Sequence, residues 1–401
     1  MTPQGTMKSR RSIRGQRLLS FLAIGALVLT VAACNNPTAT GGPMWAGSAS
    51  TAKWSIVGNP GFSASNVNYT SMAVDPTSGA PYVAFEDGAF GAKTTVMKYA
   101  NGAWTYVGTP GFSATSAQNV QMAFDSAGVP YVAYWDANFP NNVNVMVYTP
   151  ATGWQLLGGA MVYGPATIWE VVFAINKNNV PYVAFRDNTS TVRVMNYTGA
   201  WSPVGTPVSS NASNISLAFD GMGQPWVSFA DGFAGNNATV MSFNGVWTLV
   251  GPVIGSASAG AVGWTSLAID SRNTTPTPYL AVMDTGYASR TTVKKFLSGT
   301  STWVNVGNPG FSAAQPYSGS LVLSAGGIPF VAYQDGPTPP PPGTGGATVM
   351  MYSGTTWSPV GTPQFSPTYV QSTSLALDPL GAPYIAFMDG LGQKTTVMAY
   401  K

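Results

Sequence analysis

Three observations predict an all-β chain folded as a seven-bladed β-propeller. Tryptophans Trp54, Trp104, Trp154, Trp201, Trp247, Trp303 and Trp357 recur at intervals of 46 to 56 residues, each opening a phrase such as WSIVG or WTYVG. The phrase PYVAFEDG returns as PYVAYWDA, PYVAFRDN, PWVSFADG, PYLAVMDT, PFVAYQDG and PYIAFMDG. No stretch long enough for a helix carries a 3.6-residue apolar period. Self-similarity at this spacing is the mark of a propeller or an array. Four short strands per unit, rich in Val, Tyr, Phe and Thr and punctuated by Gly, Pro and Asn, select the propeller.

The chain opens with a segment that is not part of that repeat. Lys8, Arg10, Arg11, Arg14 and Arg17 precede the apolar run LLSFLAIGALVLTVAA, which ends at Cys34, the single cysteine. A run this short with small residues at its end reads as an export signal and not as a membrane span. Val31-Ala32-Ala33-Cys34 resembles the lipobox of bacterial lipoproteins, which implies cleavage after residue 33 and lipidation of Cys34. SRRSIRG resembles a twin-arginine export motif, and Asn35 after the cysteine favours the outer membrane in a two-membrane host. Residues 34–53 are rich in small residues and read as a flexible tether, leaving 54–401 for the propeller.

Removing the signal reverses the charge. The whole chain is +3, but without the five leader cations 12 basic residues face 14 acidic ones. The basic isoelectric point is a property of the precursor, and nucleic-acid binding loses its electrostatic basis. Charged residues are only 8% of the chain, against ~25% in ordinary soluble domains. Propeller sheets are covered on both faces by their neighbours, so their strands can be nearly continuous apolar runs.

Within a unit the elements follow in a fixed order. The W-x-x-V-G strand comes first, then a loop often written PGFSA, then a strand such as SMAVD. A turn of the form DxxGxP leads into PYVAF, a second loop follows, and TTVMKY closes the unit. TTVMKY-ANGA-WTYVG reads as a hairpin, so each W-strand is the outermost strand of the preceding blade. The chain begins with WSIVG and ends at TTVMAYK. Trp54–Gly58 is therefore expected to complete the last blade, which otherwise spans Ser372–Lys401 and would present an open edge. The layout LALDPLGAPYIAFMDG…TTVMAY resembles the NHL-type propeller repeat over residues 71–401, with an added tryptophan strand and seven units where six are commoner. That resemblance implies a fold and no particular activity.

All 12 aspartates fall in two repeat columns. Asp75, Asp125, Asp220, Asp270 and Asp378 end the first strand; Asp87, Asp136, Asp187, Asp231, Asp284, Asp335 and Asp389 end the second. A group present in every blade suits a shared structural task, fixing a turn by accepting backbone N–H bonds. One carboxylate per loop falls short of the six to eight oxygens calcium takes, so neither a metal nor a cofactor is expected. With no histidine in the chain, histidine-dependent nucleophile systems and ordinary zinc sites are excluded. Glu86 and Glu170 are the only glutamates. Either could join a column aspartate in a carbohydrate-active enzyme, the third of the functional readings.

Connections alternate between short turns and long loops, which places both long classes on one face, where binding is expected. That face carries Phe62, Phe112, Phe311 and Phe365 from the PGFS-type phrase and Tyr69, Trp169, Trp264, Tyr317 and Tyr369 just before the innermost strand. Flat rings beside Asp, Asn and Gly suit sugars; the same rings could instead plug gaps between blades. The residue before the second aspartate varies: Glu86, Trp135, Arg186, Ala230, Met283, Gln334, Met388. It is either a tuned surface or an unconstrained solvent position. Blade three, with Trp169, Glu170 and Arg186, departs most from the repeat, and residues 337–346 lengthen blade six. The leading expectation is a non-catalytic module, lipid-anchored to the envelope, that holds a glycan or a protein. The second is an envelope scaffold docking other envelope proteins.

Overall fold

Seven antiparallel sheets succeed one another along the chain, six of four strands and one of five. The computed structural model describes residues 52–136, 142–162, 167–336 and 345–401. The signal, Cys34, nearly all of the tether and most of the 337–346 insertion lie outside the described residues. In each blade the innermost strand pairs with the PYVAF strand, that strand with the TTVMKY strand, and the last with the W-strand. The fifth strand in blade two is the two-residue Met161–Val162, paired on Asn142–Thr149.

Closure follows the expected exchange. Trp54–Ile56 pairs with Tyr400, Ala399 and Met398, so the first strand of the chain is the outer strand of the last blade. The backbone of Val57 continues the ladder to Val397 O at 2.9 Å. The chain is a seven-bladed β-propeller.

The core lies between blades. One apolar cluster joins Tyr82, Ala84 and Val96 of blade one to Val120, Met122 and Tyr134 of blade two. Six further clusters repeat this packing around the ring, and one of them sets Val67, Val83 and Phe85 against Tyr384, Ala386 and Val397 across the closure. Val83, Val132, Val183, Val227, Leu280, Val331 and Ile385, one per PYVAF strand, are wholly buried. Strands covered on both faces leave charges nowhere to go, which accounts for the composition.

The repeated tryptophans fasten each outer strand to the blade before it. The indole N–H of Trp104 donates to Val57 O at 2.7 Å and that of Trp154 to Val107 O at 2.7 Å. Trp201, Trp247, Trp303 and Trp357 repeat the bond, and Trp54 donates to Val360 O at 2.6 Å to complete the circle. Gly58, at φ 74°, makes room: a Cβ there would lie 2.9 Å from the Trp104 ring.

Candidate functional site

Six of the seven second-strand aspartates are buried, and Asp389 is half-buried. Asp87 Oδ1 accepts from Ala89 N at 3.0 Å, and Asp231 Oδ1 from Phe233 N at 3.0 Å, each opening a single 3-10 turn. Asp284 accepts three backbone N–H groups, from Ala259, Gly260 and Gly286. Asp187, Asp335 and Asp389 accept from Thr189, Ala314 and Gly392 N, and Asp136 from the Thr115 hydroxyl. Burial pushes the Asp87 and Asp335 carboxyls above the usual range, against the pull of those N–H donors. Among the described residues there is no group of three or more His, Cys, Asp or Glu side chains placed to hold a metal.

The four loop phenylalanines lie flat on the tryptophans. Phe62 stacks on Trp104 with centroids 4.0 Å apart, Phe112 on Trp154 at 4.4 Å, Phe311 on Trp357 at 4.5 Å and Phe365 on Trp54 at 3.9 Å. The serine of the same phrase accepts an N–H at the start of the adjoining strand, as Ser113 Oγ does from Thr94 N at 3.0 Å. PGFS is therefore a packing device. Of the binding candidates, these four have a structural occupation.

The channel end of the long-loop face is shaped by bulges. Every innermost strand shifts register near its start, between Asn68 and Ser71 in blade one and between Ile168 and Glu170 in blade three. A bulge re-aims side chains, and Tyr69, with φ 49°, is one of the residues that absorb it. Trp169 is half exposed, while Tyr69 and Tyr317 expose over a third of their surface. Trp264 differs: it is buried at 8% exposure and lies over Gly319 of the next blade, where a Cβ would come within 2.2 Å of its ring.

The variable column is not a solvent position. Glu86, Trp135, Arg186 and Met283 are half-buried, and Ala230, Gln334 and Met388 are buried. It faces the bulged starts of the innermost strands: Asn68 pairs with Glu86, Gln118 with Trp135, and Glu170 with Arg186. Asn68 Nδ2 donates to Glu86 Oε1 at 3.3 Å. Burial raises the Glu86 carboxyl, opposed by that bond. Three N–H donors in this ring, Trp135 Nε1, Trp264 Nε1 and Gln334 Nε2, find no acceptor within the protein.

Blade three brings Trp169, Glu170 and Arg186 together. Arg186 Nε lies 3.3 Å from Glu170 Oε2, and its guanidinium carbon sits 5.1 Å from the centre of the Trp169 ring. Glu170 Oε1 accepts the backbone N–H of Ile215, in blade four, at 2.7 Å. Burial raises the Glu170 carboxyl, with Ile215 and Arg186 opposing. Serines do this linking between other blades: Met122 N donates to Ser71 Oγ, Leu267 N to Ser216 Oγ, Leu321 N to Ser266 Oγ and Met72 N to Ser374 Oγ. Blade three has Val172 where these serines stand, and Glu170 reaches across instead. The serine links were not recognised in the sequence, although the S of SMAVD and SLALD recurs there.

Both carboxylate oxygens of Glu170 are thus engaged, and what blade three offers outward is an indole face braced by a guanidinium. Cation–π contact of this kind contributes about 0.5–1 kcal/mol near a surface and fixes the ring's orientation.

No family model matches the chain, and no curated protein matches it. Among solved structures it is similar to a lectin from Burkholderia pseudomallei, with a TM-score of 0.55 and 15% identity over 82% of this chain and 97% of the lectin. It is also similar to an ulvan polysaccharide lyase in complex with a saccharide, with a TM-score of 0.50 and 13% identity over 85% of this chain and 94% of the lyase. At such identities the likeness establishes the architecture.

Proposed function

We propose that this protein is a non-catalytic glycan-binding propeller, exported and lipid-anchored through Cys34, that holds sugar at the channel end of its long-loop face around blade three. The observation that carries the reading is Trp169, an indole half exposed at the start of an innermost strand and braced by Arg186 at 5.1 Å. A sugar lays its C–H face on such a ring and needs fixed polar partners for its hydroxyls. Glu86, half-buried, and Asn68, exposed, supply polar partners for hydroxyls. A lectin and a polysaccharide lyase of the same architecture are consistent with it. Hydrolysis is the weaker reading, because Glu170 holds Ile215 N and Arg186 and is not a free acid.

A glycan array probed with the purified chain and with Trp169→Ala tests the proposal. Selective binding by the former and loss of signal in the latter are expected; a silent array overturns it. A specific observation favours the protein-docking alternative: Phe233, Val253, Ile254 and Leu391, on the loops of the same face, are 67%, 61%, 49% and 84% exposed. Cross-linking in the native envelope tests that reading, which predicts a protein adduct lost on substituting those four side chains. Membrane anchoring is tested by metabolic lipid labelling, with Cys34→Ser expected to abolish the label.

A further inference from the structure

The opposite end of the propeller carries one turn longer than all the others. Five residues separate the paired strand ends Phe219 and Pro225 in blade four, the spacing is the same in blades two, three, six and seven, and blade one has six between Val74 and Pro81. In blade five, eight residues separate Ile269 from Pro278. The extra residues fall in Ser271–Pro276, and the structure uses Arg272 to hold them rigid. Arg272 Nε and one terminal nitrogen donate to Asp270 at 2.9 and 2.7 Å, and the other terminal nitrogen reaches Gly326 O in blade six. The long turn is thereby pinned on its blade-six side.

On its blade-four side it encloses a cleft of about 300 Å³ lined by Asp220, Gly221, Met222, Ser271, Asn273, Thr274 and Pro276. That volume is at the lower end of small-molecule sites. Its chemistry is mixed in a particular way. Met222, 66% exposed, and Pro276 give apolar walls. Asn273 and Thr274, both exposed, give an amide and a hydroxyl at the rim. Asp220 is fixed by Met222 N and Gln224 N, both at 2.9 Å on Oδ1, while its Oδ2 receives only a long 3.4 Å bond from Trp226 Nε1. An acceptor with capacity to spare, a hydroxyl and an amide suit hydroxyl groups. With no cation in the lining and a carboxylate on one side, the cleft disfavours anions.

We propose that this cleft between blades four and five is a second binding site, for a neutral, hydroxyl-rich molecule the size of one sugar ring. It stands independently of the blade-three site, being built at the other end of the fold from different blades. The Met222 methyl group, on the cleft wall, is the reporter. The protein labelled at methionine methyls is titrated by NMR with D-glucose, D-galactose, D-mannose, L-fucose and N-acetyl-D-glucosamine. At least one is expected to shift the Met222 signal saturably, with affinity weakened 10-fold or more by Asn273→Ala combined with Thr274→Ala and unchanged by Trp169→Ala. Removing residues 273–275 restores the five-residue spacing of blades two, three, four, six and seven and is expected to abolish the shift. If that deletion fails to fold, the double substitution decides alone. No shift with any of the five sugars, or an equal shift in the double variant, overturns the proposal.

Discussion

Replacing Trp54 with alanine tests how the ring is held shut. The closing strand contributes only Trp54–Ile56 to the last sheet, so the side chain of Trp54 is a large part of its anchorage. The substitution removes the bond to Val360 O at 2.6 Å and the stack on Phe365 at 3.9 Å. The hydrogen bond contributes about 1 kcal/mol net and the stack about another 1 kcal/mol. Trp54 is half-buried, and burying half an indole contributes about 2 kcal/mol. Contributions this close together are not additive, and about 3 kcal/mol is a reasonable total. Because strap opening is local, the loss should appear in the exchange of the amides it protects. Val57 and Thr395–Tyr400 are expected to exchange about 100-fold faster, at ~1.4 kcal/mol per factor of ten. Trp154→Ala is the control, a buried member of the same column in a blade closed by continuous chain. It should lower global stability without selectively exposing Thr395–Tyr400. Unchanged protection of that segment in Trp54→Ala would refute the strap as the closing element.

Three further outcomes follow from particular contacts. Burial raises the Glu170 carboxyl above the ordinary 4.5 of a free glutamate, so the group's contribution favours folding below that value and is lost as pH rises through its folded pKa. Glu170→Gln should remove this component: the stability of the native protein relative to the variant, from denaturant melts, should improve as pH falls through that window. Arg272 holds the Asp270 carboxyl below the ordinary 3.8 of a free aspartate, so its contribution is present above that value and lost as pH falls through the depressed one. Arg272→Ala is expected to cost about 1 kcal/mol or less at pH 7, since the arginine is half exposed, with the difference closing in acid. Gly319→Ala places a methyl against the Trp264 ring; overpacking of this kind costs about 1–3 kcal/mol, and tryptophan emission should shift red as the indole is displaced.

The blades, their number and their closure were legible because each rests on a pattern that recurs at fixed spacing. The tryptophan period, the PYVAF phrase and the missing final strand are all local facts about the chain. What the tryptophans bond to was not legible, because the carbonyl each indole meets belongs to a strand 43 to 53 residues away within the chain, or 306 across the closure. The role of PGFS was half legible: the phrase recurs, but only packing shows Phe62 flat on Trp104. Trp169 and Trp264 look alike in sequence, each near the start of an innermost strand. Ile168 pairs with Asp187 and Trp169 follows it directly, whereas Val262 pairs with Asp284 and Trp264 comes one place later. One position of register within a bulge sends the first ring outward and the second onto Gly319. The Glu170 bridge required the same non-local information, since it reaches Ile215 of blade four where Val172 stands in place of a linking serine.

The most direct test of the account is the affinity of the purified chain for its best array glycan, measured by calorimetry alongside Trp169→Ala and Phe62→Ala. An exposed stacking anchor is expected to be worth at least about 1.4 kcal/mol, so Trp169→Ala should bind at least 10-fold more weakly. Phe62→Ala, which removes a ring packed on Trp104, should lose stability and retain affinity. Full affinity in Trp169→Ala would contradict the account and move the sugar away from blade three.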